Sequence, residues 1–384
     1  MKNEYREQIL KNTSLVGLIL VLGTFVFVAG INPFFTLLIV FFGVYFVYYS
    51  KSPLSFKELL EQLLLLVFGL GLIYSSYRLV IPRFDVGVLI LPVMAFGMFS
   101  CLLFERTSTA LVINLILSLF LTELTQYLSV FYIIFLPSMA SVLLVYKARH
   151  RTQIIKAAFF ASVFQFFIDL FLNMPGEVTW QDLQVFMFTD LGNGIISFIL
   201  VSGLLPVFEH IFGRVTNIRL LELSDFNHPL LRKMILQAPG TYQHSILVAN
   251  LSEVAAEKIG ANSLLARVGA YFHDIGKIAR AEYFIENQLQ SGDKHGVLNP
   301  SMSKLVIINH VKEGMELAKK YRLPQPIVDF IPQHHGTSVI SYFYHRATQN
   351  ISEVEKEKLK EEFRYIGPKP QSKESAIVLL ADSV

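Results

Sequence analysis

The chain has 384 residues, of which 53% are hydrophobic and only 16% are charged. Its net charge of +3 is too small to indicate binding of a nucleic acid polymer, and its single cysteine, Cys101, excludes an intrachain disulfide and a cysteine metal cluster. Charged residues are sparse from about 14 to 212 and ordinary afterwards. This shift predicts a short N-terminal segment over 1–13, an apolar domain over 14–212 and a water-soluble domain over 213–384.

The apolar domain contains eight candidate membrane spans, because a spanning helix needs about 20 mostly apolar residues. The candidates are roughly 14–31, 33–49, 62–81, 87–104, 107–121, 127–146, 154–173 and 188–208. The first two are nearly fused and 107–121 is short, so a count of seven spans remains the alternative.

Loop charges indicate the orientation of these spans. Lys and Arg are concentrated in the N-terminal segment and in alternate loops, such as the one with Lys147, Arg149 and Arg151, whereas the connection at 174–187 is acidic. Because basic loops stay on the cytoplasmic side, eight spans with both ends in the cytoplasm fit best. The soluble domain is therefore predicted to be cytoplasmic, attached to a lipid bilayer by a multi-pass anchor.

One acid, Asp169, lies inside a predicted span. An acid in a span is a functional candidate, but we interpret Asp169 as lying near the outer interface, close to Asn173. A relay or ligand role is the alternative. We find no paired intramembrane charges that would indicate an ion pathway, which argues against a transporter.

The soluble domain shows helical periodicity almost throughout and no competing strand pattern, so the whole chain is predicted to be all-α. One helix is predicted to end at Gly260, and the next to begin at the cap Asn262 and to be ended by Gly276. A five-turn helix follows from Pro300, and then a shorter helix that Pro332 kinks. The Lys- and Glu-rich stretch 353–362 is predicted to be a solvated helix or loop, and a last helix occupies the C-terminal residues.

Several histidines and aspartates lie on or at the ends of these helices. They are His244, His273, Asp274, His310, His334, His335 and Asp382. Imidazole and carboxylate together are the ligand set for iron, manganese or zinc. Adjacent helical residues point about 100° apart, so His273 and Asp274 can face two different metals, and one carboxylate can bridge both. Two such metals activate water and neutralise a phosphate, and Lys277, one turn later, is positioned to meet a phosphate oxygen.

The order His244, His273-Asp274, Asp382 resembles the signature of the HD-domain metal-dependent phosphohydrolases, and His310 with His334-His335 resembles its two-metal subset. The surrounding sequence is more specific. The stretch from NHPLLRKMILQAPGTYQHS to GAYFHDIGKI, then EYFIENQ, FIPQHHGT, SYFYHRA and GPKPQSKESAIVLLADSV, is similar to the bacterial seven-transmembrane HD proteins of the PgpH type.

This resemblance implies a bacterial cell-membrane phosphodiesterase that hydrolyses cyclic di-AMP to pApA, with two iron or manganese ions as cofactors. It implies that one metal is held by His244, His273, Asp274 and Asp382, and the other by Asp274, His310, His334 and His335. Asp274 would bridge the two metals, and Asp274, His273 and Lys277 would be the catalytic residues. The nucleophile would be a hydroxide between the metals. A homodimer is left open.

Two departures from the family pattern affect these expectations. Members usually carry a large extracellular domain after the first span, and here the second apolar run follows almost directly, so we expect that domain to be absent. We also expect the last helix to continue beyond Val384.

Substrate contacts are predicted less directly than metal ligands. Adenines need an aromatic or apolar wall, so Tyr342 and Tyr344 are candidates for base contacts, and Lys277 for a phosphate contact. His295 lies in a polar sequence and is interpreted either as a loop residue or as part of the site.

Other functions remain open on the sequence alone. A cyclic di-GMP phosphodiesterase of the HD-GYP kind would carry a Gly-Tyr-Pro element after the paired histidines, but HHGTSVISYFYHRA follows instead. A hydrolase of nucleotide 5′-phosphates is a second alternative. A catalytically dead, nucleotide-sensing membrane receptor is the third, and the presence of all seven ligands argues against it.

Overall fold

The computed structural model describes residues 55–84, 87–288, 294–296, 298–349 and 352–384. Its contacts divide the chain into two units, Met1–Phe212 and Gly213–Val384. The described residues form helices and no sheet, so the prediction of an all-α chain is confirmed. The one isolated β-bridge among them joins Val339 and Arg364.

The described part of the first unit consists of long apolar helices. They are α1 (Phe56–Ser75), α2 (Val93–Phe104), α3 (Thr107–Thr125), α4 (Leu128–Val145), α5 (Arg151–Asn173) and α6 (Trp180–Phe212). A π-helical turn, Ser76–Val80, and Ile81–Phe84 extend α1, and a 3₁₀ turn, Val88–Ile90, precedes α2. Five helical segments, α1 with its extension and α3 to α6, are long and apolar enough to cross a membrane.

The predicted span at 87–104 is built differently from the others. Leu91 and Pro92 separate the 3₁₀ turn from α2, because proline has no amide hydrogen and holds the residue before it in an extended conformation. All twelve residues of α2 are buried, and it packs against α1, α3, α4 and α6. The predicted spans at 14–31 and 33–49 lie outside the described residues.

Asp169 is buried among the helices of the first unit, and its interpretation as an acid near the outer interface stays a prediction. Asn173 does donate a hydrogen bond of 2.9 Å to its Oδ1 atom, but the carboxylate is buried rather than exposed. A second acid on α6, Asp190, is also buried and accepts a hydrogen bond from Gln165 Nε2 at 2.9 Å. The expectation that no paired charges form an ion pathway stays a prediction.

The second unit is a bundle of shorter helices. They are α7 (Asn217–Leu223), α8 (Pro229–Gln237), α9 (Pro239–Lys258), α10 (Ser263–Phe272), α11 (Pro300–Lys320), α12 (Gln325–Val328), α13 (Phe330–Gln333), α14 (Ser341–Ala347), α15 (Glu353–Glu362) and α16 (Lys373–Asp382). Two 3₁₀ segments, Ile275–Tyr283 and Ile285–Asn287, follow α10. In the packing of the unit, α9 lies against α10 and α16, and α11 lies against the first 3₁₀ segment.

Local sequence signals set several helix ends as predicted. The Asn262 side chain accepts a hydrogen bond from the Leu265 amide at 2.9 Å and caps α10. Gly260 has a φ of 66°, which suits its position just after α9. The helix predicted from Pro324 to the paired histidines is instead two four-residue helices, α12 and α13, with Pro332 in the second.

Gly276 does not end α10 as predicted. The α-helix stops at Phe272, and Gly276 lies inside the following 3₁₀ segment. A Cβ atom on Gly276 would lie 1.7 Å from the His310 carbonyl oxygen and 2.5 Å from the Gly314 amide nitrogen. Glycine is required there because the backbone of this segment touches the backbone of α11.

The core of the second unit begins at α7 and lies under the 3₁₀ segment. Its fully enclosed apolar residues include Leu220, Leu223, Leu230, Leu231, Met234, Val268, Phe272, Ile275, Ile327, Phe330, Ile331 and Val378. Thr216 caps α7 by accepting a hydrogen bond from the Arg219 amide at 3.3 Å. The unit therefore has its own core, and α7 belongs to it.

We expect Gly213–Val384 to fold without the first unit, and a version that begins at Ser224 to be less stable. The shorter version lacks Ile218, Leu220 and Leu223, which are buried, and each such side chain contributes about 1.5–3 kcal/mol. Thermal melts followed by circular dichroism compare the two versions. Equal melting temperatures would contradict the place of α7 in this core, and an unfolded Gly213–Val384 would show that the unit needs the membrane helices.

Candidate metal centre

The seven predicted ligands come from five different parts of the second unit. His244 lies early in α9, and His273-Asp274 directly follows α10. His310 lies in the middle of α11, and His334-His335 directly follows α13. Asp382 is the last residue of α16. The fold brings all seven to one place, in two overlapping sets.

The first set consists of His244, His273, Asp274 and Asp382, whose ligand atoms all lie within 4.8 Å of one another. The Nε2 atom of His244 lies 2.8 Å from Asp382 Oδ1. The Nε2 atom of His273 lies 3.4 Å from the same oxygen and 3.3 Å from Asp274 Oδ2. One oxygen of each acid therefore faces two imidazoles.

The second set consists of Asp274, His310, His334 and His335, again with all ligand atoms within 4.8 Å. The Nε2 atoms of His310 and His334 lie 3.4 Å and 3.5 Å from Asp274 Oδ1. They are 3.4 Å from each other. Asp274 thus turns Oδ2 towards the first set and Oδ1 towards the second.

Backbone carbonyls orient three of the imidazoles. His273 Nδ1 lies 2.7 Å from the Ala270 carbonyl oxygen, His334 Nδ1 lies 2.7 Å from that of Ile331, and His310 Nδ1 contacts that of Ile307. A carbonyl oxygen only accepts, so each Nδ1 is the donor. This leaves Nε2 facing the centre of the cluster, as in metal-binding histidines.

The centre of the cluster contains buried polar atoms without hydrogen bonds. Asp274 and His273 are buried, and neither Asp274 Oδ1 nor His273 Nε2 has a hydrogen-bond partner among the described residues. Leaving such atoms unsatisfied is costly. Two carboxylates and five imidazoles in this arrangement fit two divalent transition-metal ions.

Protonation in the cluster follows from burial and from its two carboxylates. Burial lowers the pKa of His273, but Asp274 and Asp382 outweigh this and raise it to about 10. Burial lowers the pKa of His310 to about 3 and that of His335 still further, with neighbouring imidazoles adding to the effect. Burial raises the pKa of Asp274, but Lys277 and His273 outweigh it and hold the pKa well below its usual range. Asp274 is therefore ionised, and His310 and His335 are neutral, which is the form that binds metal.

Lys277 lies between two acids. Its Nζ atom is 2.7 Å from Asp274 Oδ2 and donates a hydrogen bond of 3.0 Å to Glu286 Oε1. Burial lowers its pKa, but these carboxylates outweigh burial and raise it. The predicted phosphate contact is thus a half-buried, charged lysine at the edge of the cluster.

A cavity of about 560 Å³ opens beside the second ligand set. Its walls include Lys277, Phe284, Glu286, His310, His335, Tyr342, Phe343 and Tyr365. His295 also lines the cavity, which supports its interpretation as part of the site rather than as a loop residue outside it. Tyr342 lines the cavity, whereas Tyr344 is not among the lining residues. Tyr344 donates to the Lys356 carbonyl oxygen at 3.3 Å and packs against Phe363.

Sequence reasoning missed two residues of this site. Tyr365 stacks on the His335 ring, with 4.2 Å between ring centroids. Its one sequence signal is the GPKPQ motif that begins two residues after it. Glu286 lies in the EYFIENQ motif, but nothing in the motif indicates that its carboxylate meets Lys277. Tyr365 and His335 lie 30 residues apart in the sequence, and the contact of Glu286 with Lys277 depends on the path of the chain between the two 3₁₀ segments.

Two family profiles match the chain. The family described as a 7TM receptor with intracellular HD hydrolase matches residues 25–216, and the HD domain matches residues 241–384. The chain belongs to this 7TM receptor family. Together with the five long apolar helices, this makes it a multi-pass membrane protein that carries an HD domain.

Curated relatives include two cyclic-di-AMP phosphodiesterases named PgpH. The Bacillus subtilis (strain 168) protein is 43% identical over 259 residues, which is 67% of this chain and 36% of that protein. The Listeria monocytogenes protein is 42% identical over 268 residues, which is 69% of this chain and 36% of that protein. The chain thus spans about a third of the length of these relatives.

Solved structures of the L. monocytogenes PgpH HD domain are also similar. The structure in complex with cyclic-di-AMP has 48% sequence identity, covers 42% of this chain and 73% of that chain, and aligns with a TM-score of 0.38.

Proposed function

We propose that this protein is a membrane-anchored, metal-dependent phosphodiesterase that hydrolyses cyclic di-AMP to pApA. The observation that supports it most is the geometry of Asp274, whose two oxygens face two different sets of ligand atoms. A single buried carboxylate between two sets is what a two-metal site requires.

The metal ions proposed are iron or manganese, held by His244, His273, Asp274 and Asp382 on one side and by Asp274, His310, His334 and His335 on the other. Two divalent ions in such sets supply an activated water and neutralise charge on a phosphate. The protein contributes the fixed Nε2 atoms, the exclusion of bulk water around Asp274, and Lys277, which holds positive charge at the cavity wall for a phosphate oxygen.

The proposed substrate rests on the cavity and on the relatives. A volume of about 560 Å³ is within the range of small-molecule and cofactor pockets, roughly 300–1,000 Å³. Tyr342 and Phe343 provide an aromatic wall suited to a base. The two relatives named as cyclic-di-AMP phosphodiesterases support adenine as that base.

The location of the catalytic domain is also a proposal. Basic residues at 147–151 and in the N-terminal segment favour the cytoplasm for the second unit. The family description, which refers to an intracellular HD hydrolase, supports the same side.

Substrate preference is the test of this proposal. We expect the full chain in detergent, with Mn²⁺ or Fe²⁺, to cleave cyclic di-AMP with a kcat/KM at least about tenfold higher than for cyclic di-GMP, which requires about 1.4 kcal/mol of transition-state preference. A site that does not pair the guanine carbonyl leaves that group unsatisfied, at about 1–3 kcal/mol. Chromatography of the products should show pApA.

Each of the other outcomes of this experiment would favour a different function. Equal rates, or faster cleavage of cyclic di-GMP, would assign the site to another second messenger. Cleavage of nucleotide 5′-phosphates alone would indicate a wider HD-superfamily hydrolase. A chain that binds two metals and nucleotide but cleaves none of these would be a sensing receptor.

A further inference from the structure

Lys277 contacts the carboxylate that is proposed to bridge the two metal ions. Its Nζ atom lies 2.7 Å from Asp274 Oδ2, the oxygen that faces the first ligand set. Asp274 is buried, so its negative charge is a strong attractor for any cation within reach. An ammonium paired with this oxygen weakens the hold of Asp274 on a metal ion.

Glu286, which belongs to neither ligand set, offers Lys277 a second partner. The ammonium donates a hydrogen bond of 3.0 Å to Glu286 Oε1. Glu286 lines the cavity with Lys277, and Lys277 Nζ also lies 5.1 Å from the centroid of the Phe284 ring. Lys277 is therefore shared between one acid inside the metal cluster and one outside it.

Glu286 is itself held in place by the start of α9. Thr241 Oγ1 donates to Glu286 Oε1 at 3.0 Å. Asn287 Nδ2 donates to Thr241 Oγ1 at 2.8 Å, and Asn287 Oδ1 accepts the Gly240 amide at 2.9 Å. A Cβ on Gly240 would lie 1.8 Å from the Glu286 carbonyl oxygen. The carboxylate of Glu286 is thus held by Thr241, whose hydroxyl is in turn held by Asn287.

We propose that Glu286 is a positioning residue that draws the Lys277 ammonium away from Asp274 and so keeps the bridging carboxylate available to two metal ions. This inference rests on the proposed metal centre, and it concerns the affinity of that centre rather than the substrate. When Asp274 binds metal, Lys277 keeps Glu286 as its partner and stays charged at the cavity wall.

The test is Mn²⁺ binding to the full chain in detergent, measured by calorimetry and by the electron paramagnetic resonance signal of free Mn²⁺. For Glu286→Gln we expect an affinity about 10–100-fold lower than in the wild-type protein, the usual effect of removing a group that supports a metal ligand. For the double variant Glu286→Gln with Lys277→Met we expect recovery to within about threefold of the wild-type affinity, because the competing cation is gone.

Two control variants accompany this comparison. Glu282→Gln removes an exposed acid of the first 3₁₀ segment, which pairs with Lys294 rather than with Lys277, and should bind Mn²⁺ like the wild-type protein. Thr241→Val removes one hydrogen bond to Glu286 and keeps its charge, so it should weaken Mn²⁺ binding less than Glu286→Gln. It also serves as the test variant if Glu286→Gln does not fold.

Two results would overturn the inference. In one, Glu286→Gln binds two Mn²⁺ ions with wild-type affinity. In the other, the double variant binds as weakly as Glu286→Gln, which would assign Glu286 a merely structural role.

Failure of the proposed substrate can be told apart from failure of this inference. A wild-type chain that binds two Mn²⁺ ions and shows this pattern of variants but cleaves no cyclic dinucleotide would contradict only the proposed substrate. A wild-type chain that binds no Mn²⁺ would overturn both proposals.

Discussion

Replacement of Asp274 by alanine is expected to abolish hydrolysis and to lower metal occupancy at both positions. Its Oδ2 and Oδ1 atoms face the two ligand sets, so the variant removes one ligand from each. It also leaves five imidazoles with Asp382 as the one remaining acid of the sets. We expect kcat/KM to fall by at least about 1,000-fold, a loss of about 4 kcal/mol of transition-state stabilisation.

Metal content measured by mass spectrometry on the same preparations separates this effect from unfolding. Glu316→Ala is the matched control, because Glu316 is an exposed acid on α11, the helix that carries His310. It should retain two metals and wild-type turnover. An Asp274→Ala protein with two bound metals and a near-normal rate would refute the bridging role.

Replacement of Gly276 by alanine is expected to destabilise the second unit and to weaken the second ligand set. The added Cβ would lie 1.7 Å from the His310 carbonyl oxygen and 2.5 Å from the Gly314 amide nitrogen, so the backbone of α11 has to move. Overpacking of this kind typically costs about 1–3 kcal/mol. Backbone atoms can move aside less easily than side chains, so we expect the free energy of unfolding to fall by about 3 kcal/mol. The melting temperature should fall by roughly 6–12 °C.

Gly203→Ala provides the control, because a Cβ on Gly203 in α6 would have no heavy atom within 4 Å. Thermal unfolding and Mn²⁺ stoichiometry are measured for both variants in the full chain. If Gly276→Ala melts with the wild-type protein and binds two Mn²⁺ ions, the close contact between the 3₁₀ segment and α11 does not position His310.

The sequence was sufficient for the elements whose signals are local. Hydropathy alone indicates the long apolar helices, because a helix in lipid satisfies its backbone hydrogen bonds internally and needs about 20 apolar residues. Asn262 at the start of α10 and Gly260 after α9 follow from the side-chain and φ requirements of helix ends. The seven candidate ligands could be named because their residue types and adjacent pairs resemble a known family pattern.

Other features depend on where distant helices meet. Gly276 looked like a helix end, yet its role comes from His310 and Gly314 on α11, which are more than 30 residues away in the sequence. The burial of Asp169 and Asp190 depends on the helices packed around them, which neither span indicates by itself. Tyr344 and Tyr342 are two residues apart on α14, and only packing decides that Tyr342 faces the cavity and Tyr344 faces Phe363.

For this protein, the sequence by itself determined the all-α class, the apolar first unit and the types of residue at the metal centre, because these depend on composition and on short-range spacing. Only the tertiary structure decided that each Asp274 oxygen meets a different ligand set, that Lys277 is shared with Glu286, and that Tyr365 covers His335. The Asp274 contacts join segments at or next to α9, α10, α11, α13 and α16 through the packing of the second unit, and no local pattern in the chain encodes the distances between them.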